Sequence, residues 1–167
     1  MAACEDLLMI NDREQILLFR LIDSFDEDFI PELIPWKNQL DGKILDLHYS
    51  SHLKIFFILT DEKLFTFDRF SSPMSFHALY RFTSLPWSCT TLFNSIYILY
   101  KYSTTIEQWT FESTSKTIEM KKQWKLDEIL MECEHDQHLR AIRTNPSQTQ
   151  LAILIVKNRL NEKRNCF

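Results

Sequence analysis

Glycine is almost missing, occurring once in 167 residues, at Gly42. Average usage of about 7% would supply on the order of a dozen. Gly-rich phosphate loops, dinucleotide-binding turns, P-loops and collagen repeats need glycine wherever the backbone takes positive φ or approaches a phosphate. One residue cannot build them, and it excludes a Gly-x-Ser-x-Gly elbow too, so nucleophilic serine chemistry has no support. Long apolar runs are lacking as well. The longest, residues 55–59 and 151–156, fall far short of the roughly 20 residues of a membrane helix, and no membrane partner is expected. Cysteine spacing is uninformative in a useful way: Cys4, Cys89, Cys133 and Cys166 form no disulfide framework or four-cysteine zinc pattern and read as free thiols of a reducing compartment. The opening Met1-Ala2-Ala3-Cys4-Glu5-Asp6 carries acid where a secretory signal would carry positive charge. A cytoplasmic protein is the expectation.

What is present suits one folded domain. Hydrophobic residues make up 45% and charged residues 25% of the chain, far from the composition of disordered sequences. With 19 basic against 23 acidic side chains the surface is acidic on balance, and no nucleic-acid partner is expected. The apolar runs are short, rich in β-branched and aromatic residues, and separated by Asp, Asn, Ser and Thr, which are strand signals. A first set covers residues 7–10, 15–21 and 29–34. A second covers 44–49, 54–59, 64–67 and 75–80, and a third 89–93, 96–100, 106–111 and 117–124. Within 44–49, Ile44, Asp46 and His48 alternate with Leu45, Leu47 and Tyr49, the period of two of a half-buried strand.

The second and third sets repeat one plan. Pro35-Trp36 precedes the one as Pro86-Trp87 precedes the other, Phe57-Ile58-Leu59 matches Tyr97-Ile98-Leu99, and Leu64 with Phe67 matches Ile106 with Trp109. A period of roughly 40 to 50 residues with four strands per unit is that of a propeller blade. Residues 126–133 break the pattern with apolar positions at helical spacing and read as a short helix or loop. Strands resume at 139–143 and 151–156, around a turn at Asn145-Pro146-Ser147.

These residues resemble WD40-like β-propeller repeats. Residues 139–152 look like the first two strands of such a blade and 44–68 like the first three of another, although the Gly-His and Trp-Asp dipeptides of that family are absent. The resemblance implies presentation of loops and a rim surface to protein partners. The expected fold is all-β, with antiparallel four-stranded blades of a partial or open β-propeller. Its parts are a partial blade at 5–36, blades at 43–80 and 87–125, a partial blade at 139–157 and a basic tail at 158–167. Residues 139–143 could complete the first set, but 151–156 would then be surplus. A fragment of a longer propeller, an open arc that needs a partner and a divergent sandwich all remain open, and unpaired sheet edges could promote self-association.

Chemistry finds little purchase. Cys133, His135 and His138 lie close together without a fourth ligand or metal-site spacing, so no metal and no cofactor is expected. Asp61-Glu62 and Asp26-Glu27-Asp28 are paired carboxylates at turns, where solvation explains them. Trp36, Trp87, Trp109 and Trp124 read as core between neighbouring sheets. His48, His52 and His77 receive no role, and Lys157, Arg159, Lys163 and Arg164 read as a solvated end. No catalytic, cofactor-binding or metal-binding residue is assigned. The expectation is a non-enzymatic protein-interaction or scaffold module. A ligand-binding or enzymatic propeller is the alternative; its central pocket would have to draw on Asp46, His48 and a few arginines of strands 44–49, 89–93 and 139–143. A third reading makes residues 5–22 an amphipathic helix, with Leu7, Leu18 and Leu21 as a docking face.

Overall fold

The short apolar runs become strands, and every strand pair is antiparallel. The computed structural model describes residues 1–12, 15–20, 31–36, 38–68, 76–125, 128, 137–145, 147 and 149–157. Blade 1 holds β1 (Ala2–Ala3), β2 (Leu7–Asp12), β3 (Gln15–Arg20) and β4 (Glu32–Pro35). One helical turn, α1 (Asn38–Asp41), leads to blade 2, with β5 (Ile44–Ser50), β6 (Ile55–Thr60), β7 (Lys63–Phe67) and β8 (Phe76–Arg81). Blade 3 holds β9 (Pro86–Leu92), β10 (Ser95–Tyr100), β11 (Thr105–Glu112) and β12 (Thr117–Lys125). A two-stranded half-blade of β13 (Gln137–Thr144) and β14 (Leu151–Lys157) follows. The first strands stand side by side, β5 against β9 and β9 against β13, with β1 and β2 beside β5. The fold is an all-β partial, open β-propeller of antiparallel four-stranded blades.

Three apolar layers lie between successive sheets. Met9, Ile16, Leu18, Leu47, Phe56 and Ile58 fill the first, Phe57, Leu59, Leu64, Ile96, Ile98 and Phe111 the second, and Tyr97, Leu99, Ile106, Leu139 and Ile142 the third. Strands β6 and β10 are therefore covered on both faces, which is why 56–59 and 96–99 are continuous apolar runs instead of alternating ones. Leu64, Phe67, Ile106 and Trp109, matched in sequence, are all buried.

Four readings change. Residues 5–22 are not an amphipathic helix: Leu7 and Leu18 lie in the hairpin of β2 with β3 and face the first apolar layer, and Leu21 falls outside the described residues. Blade 1 gains a strand at Ala2–Ala3 and is not completed by 139–143, because β13 pairs with β14 and stands beside β9. The two Pro-Trp pairs are not equivalent, since Pro35 ends β4 whereas Pro86-Trp87 opens β9. The alternation of 44–49 is interrupted by a β-bulge at its start, so that Ile44 joins Leu47 and Tyr49 on the face toward blade 1. Residues 126 and 127, 129–136 and 158–167, with the expected helix or loop and the basic tail, lie outside the described residues.

Nearly without glycine, the chain turns on other residues. Lys54, Phe93, Tyr102 and Lys116 take φ of 56, 54, 59 and 50°, left-handed conformations that cost a non-glycine residue about 1 kcal/mol or more. Gly42, at φ 82°, sits where no other residue fits: an added Cβ would lie 2.5 Å from Asp61 Oδ1 and 2.8 Å from Thr60 Oγ1. Buried Trp36 donates its indole N–H to the Gly42 carbonyl at 2.8 Å. Thr60 closes the next turn, its Oγ1 accepting from Lys63 N at 2.8 Å.

Candidate functional site

The same irregularity recurs in the inner strands β5, β9 and β13. In β5, Ile44 opposes Thr60 and Asp46 opposes Leu59, leaving Leu45 extra. In β9, Pro86 opposes Tyr100 and Ser88 opposes Leu99, leaving Trp87 extra; in β13, Leu139 opposes Ile155 and Ala141 opposes Leu154, leaving Arg140 extra. A bulge re-aims its extra residue and sharpens the local twist. Here the three extra residues converge on one hollow of about 310 Å³, which Asp46, Ser88, Ala141, Arg143 and Leu154 also line.

Polar residues next to the bulges tie the blades together. Asp46 Oδ2 accepts from Ser88 Oγ and from Cys89 N, each at 3.0 Å, and from Arg143 Nη1 at 2.8 Å. Its Oδ1 accepts from Arg143 Nη2 at 2.9 Å and from Leu47 N at 3.1 Å. One carboxylate thus joins blades 2 and 3 and the half-blade, with the bidentate geometry that makes arginine–carboxylate pairs strong. A rung further along, His48 Nε2 accepts from Thr91 N at 3.1 Å and lies 2.9 Å from Thr91 Oγ1, and Thr90 Oγ1 lies 2.9 Å from Thr144 Oγ1. Because Nε2 accepts, the His48 ring carries its proton on Nδ1. Burial holds the His48 pKa down to about 4, the Asp46 carboxylate raising it in part and Arg143 lowering it. Burial, with the Asp46 charge beside it, pushes the Cys89 thiol well up, so it is a packed thiol and not a nucleophile. The groups from which a central pocket would draw its chemistry, Asp46, His48 and Arg143, are thus engaged with one another or with β9.

Trp87 has a different setting. Its indole packs partly against the layer between blade 3 and the half-blade, while Arg140 Cζ stands 4.8 Å and Lys101 Nζ 5.2 Å from the ring centroid. Lys101 Nζ also lies 5.0 Å from the ring of Tyr102, which is 81% exposed at its left-handed turn. Trp87, Lys101, Tyr102 and Arg140 line a second hollow of about 210 Å³ with Leu139. Lys101 and Tyr102 border a third of about 380 Å³, over Tyr80, Tyr100, Glu107 and Trp109. Shared residues chain the three hollows along one end of blade 3 and the half-blade. In the third, Tyr100 donates its hydroxyl to Glu107 Oε2 at 2.6 Å and Trp109 Nε1 donates to the same oxygen at 3.1 Å. Burial first, and the Glu107 hydrogen bond second, raise the Tyr100 pKa.

The sequence candidates are dispersed. Trp36 and Trp109 are core, at 3% and 8% exposure. Trp124 stacks on Tyr97 with Lys122 over its ring, and Trp87 is core on one side only, because its bulge turns it to the end of the blade. Asp61 caps Lys43 N at 2.8 Å and Glu62 pairs with exposed Arg81. His52 meets the exposed ring of Phe93 edge-on, and His77 is exposed on β8. Residues 26–28, Cys133, His135 and the side chain of His138 lie outside the described residues; among the described residues no three His, Cys, Asp or Glu side chains are grouped to hold a metal. Nor is any described helix long and apolar enough to cross a membrane. Cys4 and Cys89 are in no disulfide. Sequence reasoning missed Lys101 and Tyr102, which lie in a turn, and counted Arg140 only among the arginines of a central pocket; a bulge leaves no periodic signal.

No protein-family model matches the chain, and no curated protein matches it. Among solved structures it is similar to the N-terminal domain of Nup159, at a TM-score of 0.47 and 10% identity over 92% of this chain and 51% of that one. It is also similar to one chain of a complex of an S. cerevisiae Dbp5 variant bound to Nup159, a Gle1 variant, IP6 and ADP, at a TM-score of 0.43 and 11% identity over 83% of this chain and 46% of that one. The chain spans about half the length of these solved chains.

Proposed function

We propose that the chain is a non-enzymatic protein-interaction module of WD40-like propeller type that works in the cytoplasm and binds a partner protein across the chained hollows around Trp87 and Tyr102. One observation carries this reading: an aromatic ring exposed at a strained turn stands beside a half-buried tryptophan at an end of the inner strands where three hollows adjoin. Rigid aromatic anchors with a polar rim are the features from which interfaces draw their affinity. The acids lining the hollows, Asp46 and Glu107, are hydrogen-bonded within the blades, which suits a scaffold better than a reaction centre. The outer edge of β14, the last strand of a two-stranded sheet, adds a second means of association, strand to strand.

A photo-crosslinking residue at position 102, compared with one at exposed Ser51, tests the reading in cells that express the chain. A discrete protein adduct from position 102 alone is expected. No adduct, or the same adducts from both positions, would overturn it.

A further inference from the structure

Resting on that reading, we infer that Lys101 and Arg140 form a seat for carboxylate side chains, and that the partner presents an acidic, extended peptide segment. The two cations stand over one indole, Lys101 at 5.2 Å and Arg140 at 4.8 Å. Neither forms an ion pair or a side-chain hydrogen bond among the described residues, whereas Arg143, Arg81 and Lys121 are each paired with a carboxylate. Among the described residues no acid is in an ion pair with either: the Asp46 carboxylate is held by Arg143 and its neighbours, and Glu107 Oε2 accepts from Tyr100 and Trp109. A chain of net charge -4 thus places on one aromatic floor two cations that form no ion pair among the described residues. The fold places both there deliberately, Arg140 as the extra residue of the β13 bulge and Lys101 beside the left-handed Tyr102.

The chemistry that fits follows from the geometry. An indole face holds the cations in place without neutralising them, so their N–H groups stay available to an anion. Arginine offers a planar fork for a carboxylate and lysine a point charge beside it. The adjoining hollows of about 310 and 380 Å³ on either side of the seat give room for residues flanking the acidic ones, which favours an extended peptide over a single small anion.

Fluorescence anisotropy on the full chain tests this with three labelled dodecapeptides, identical but for Glu, Gln or Lys at alternating positions. The Glu peptide is expected to bind, weakening as sodium chloride is added, with the Gln peptide about tenfold weaker and the Lys peptide without binding. Lys101→Glu with Arg140→Glu should lower Glu-peptide affinity by about tenfold or more, Lys101→Arg with Arg140→Lys should largely retain it, and Lys121→Glu on β12 should not change it. Arg140 is exposed and Lys101 partly so, and thermal melts should change little; were the double variant to misfold, Lys101→Gln and Arg140→Gln singly give the same reading. Equal binding of Glu and Gln peptides, no binding of either, indifference to charge reversal, or binding only when phosphoserine replaces Glu would each overturn the inference. The adduct from position 102 separates the two claims: if it survives charge reversal, the interaction reading stands and the acidic seat falls. If the wild-type chain gives no adduct, the interaction reading itself fails.

Discussion

His48 shows how a single side chain sets the conditions under which the arc holds together. Its Nε2 must accept from Thr91, and burial keeps it neutral with a pKa of about 4. In the unfolded chain the ring titrates near 6.5 and takes up its proton first, so stability is complete above about pH 6.5 and falls as the pH drops toward 4. The loss reaches about 3 kcal/mol. Urea unfolding of the wild-type chain and of His48→Gln at pH 7 and pH 4.5 checks it: the wild type should lose distinctly more stability between the two than the variant, and parallel losses would show that His48 is not the titrating group. That His48 would be paired was not legible from sequence, because its partner lies 43 residues away. Gly42 and Trp36 were both conspicuous as letters, yet their bond is visible only once the loop at 42 is folded.

At the scale of elements, most of the strands could be read directly, because each blade leaves a contrast between β6 and β10, buried on both faces, and outer strands such as β12, which are largely exposed. The bulges could not. Counting by twos put Ile44 with Asp46, whereas the extra Leu45 moves Ile44 to the opposite face and leaves Asp46 and His48 toward β9. The two-residue β1 is too short to carry a period, and a helical spacing within 5–22 competed with the hairpin that forms. The half-blade has its own consequence. Among the described residues strand β14 is paired on one side only, and Leu154 on it is 54% exposed. Amide exchange followed by mass spectrometry should show β14 exchanging ahead of β9 in dilute solution and slowing as concentration rises and edges pair between copies. Protection of β14 at every dilution would mean that its edge is already covered.

The whole molecule is held as an arc by apolar layers between sheets and by one polar stitch near its centre. Asp46 is the member that touches every part of that stitch, binding Ser88 and Cys89 of β9 and Arg143 of β13 from its place on β5. Sequence showed an acid in an inner strand and could assign it either to a pocket or to nothing. The pairing across 97 residues gives it a structural role in joining β5 to β13. The most direct test is equilibrium urea unfolding of Asp46→Ala at neutral pH. Removing the carboxylate leaves the Cys89 N–H without its acceptor and leaves Ser88 Oγ and Arg143 Nη1 the Ile142 carbonyl; Asp46 is only 10% exposed, while Arg143, at 51%, can recover water. A loss of about 2–3 kcal/mol is predicted. Unchanged stability would contradict the account, because it would mean that the carboxylate is not needed to join the blades and stands free for chemistry in the central hollow.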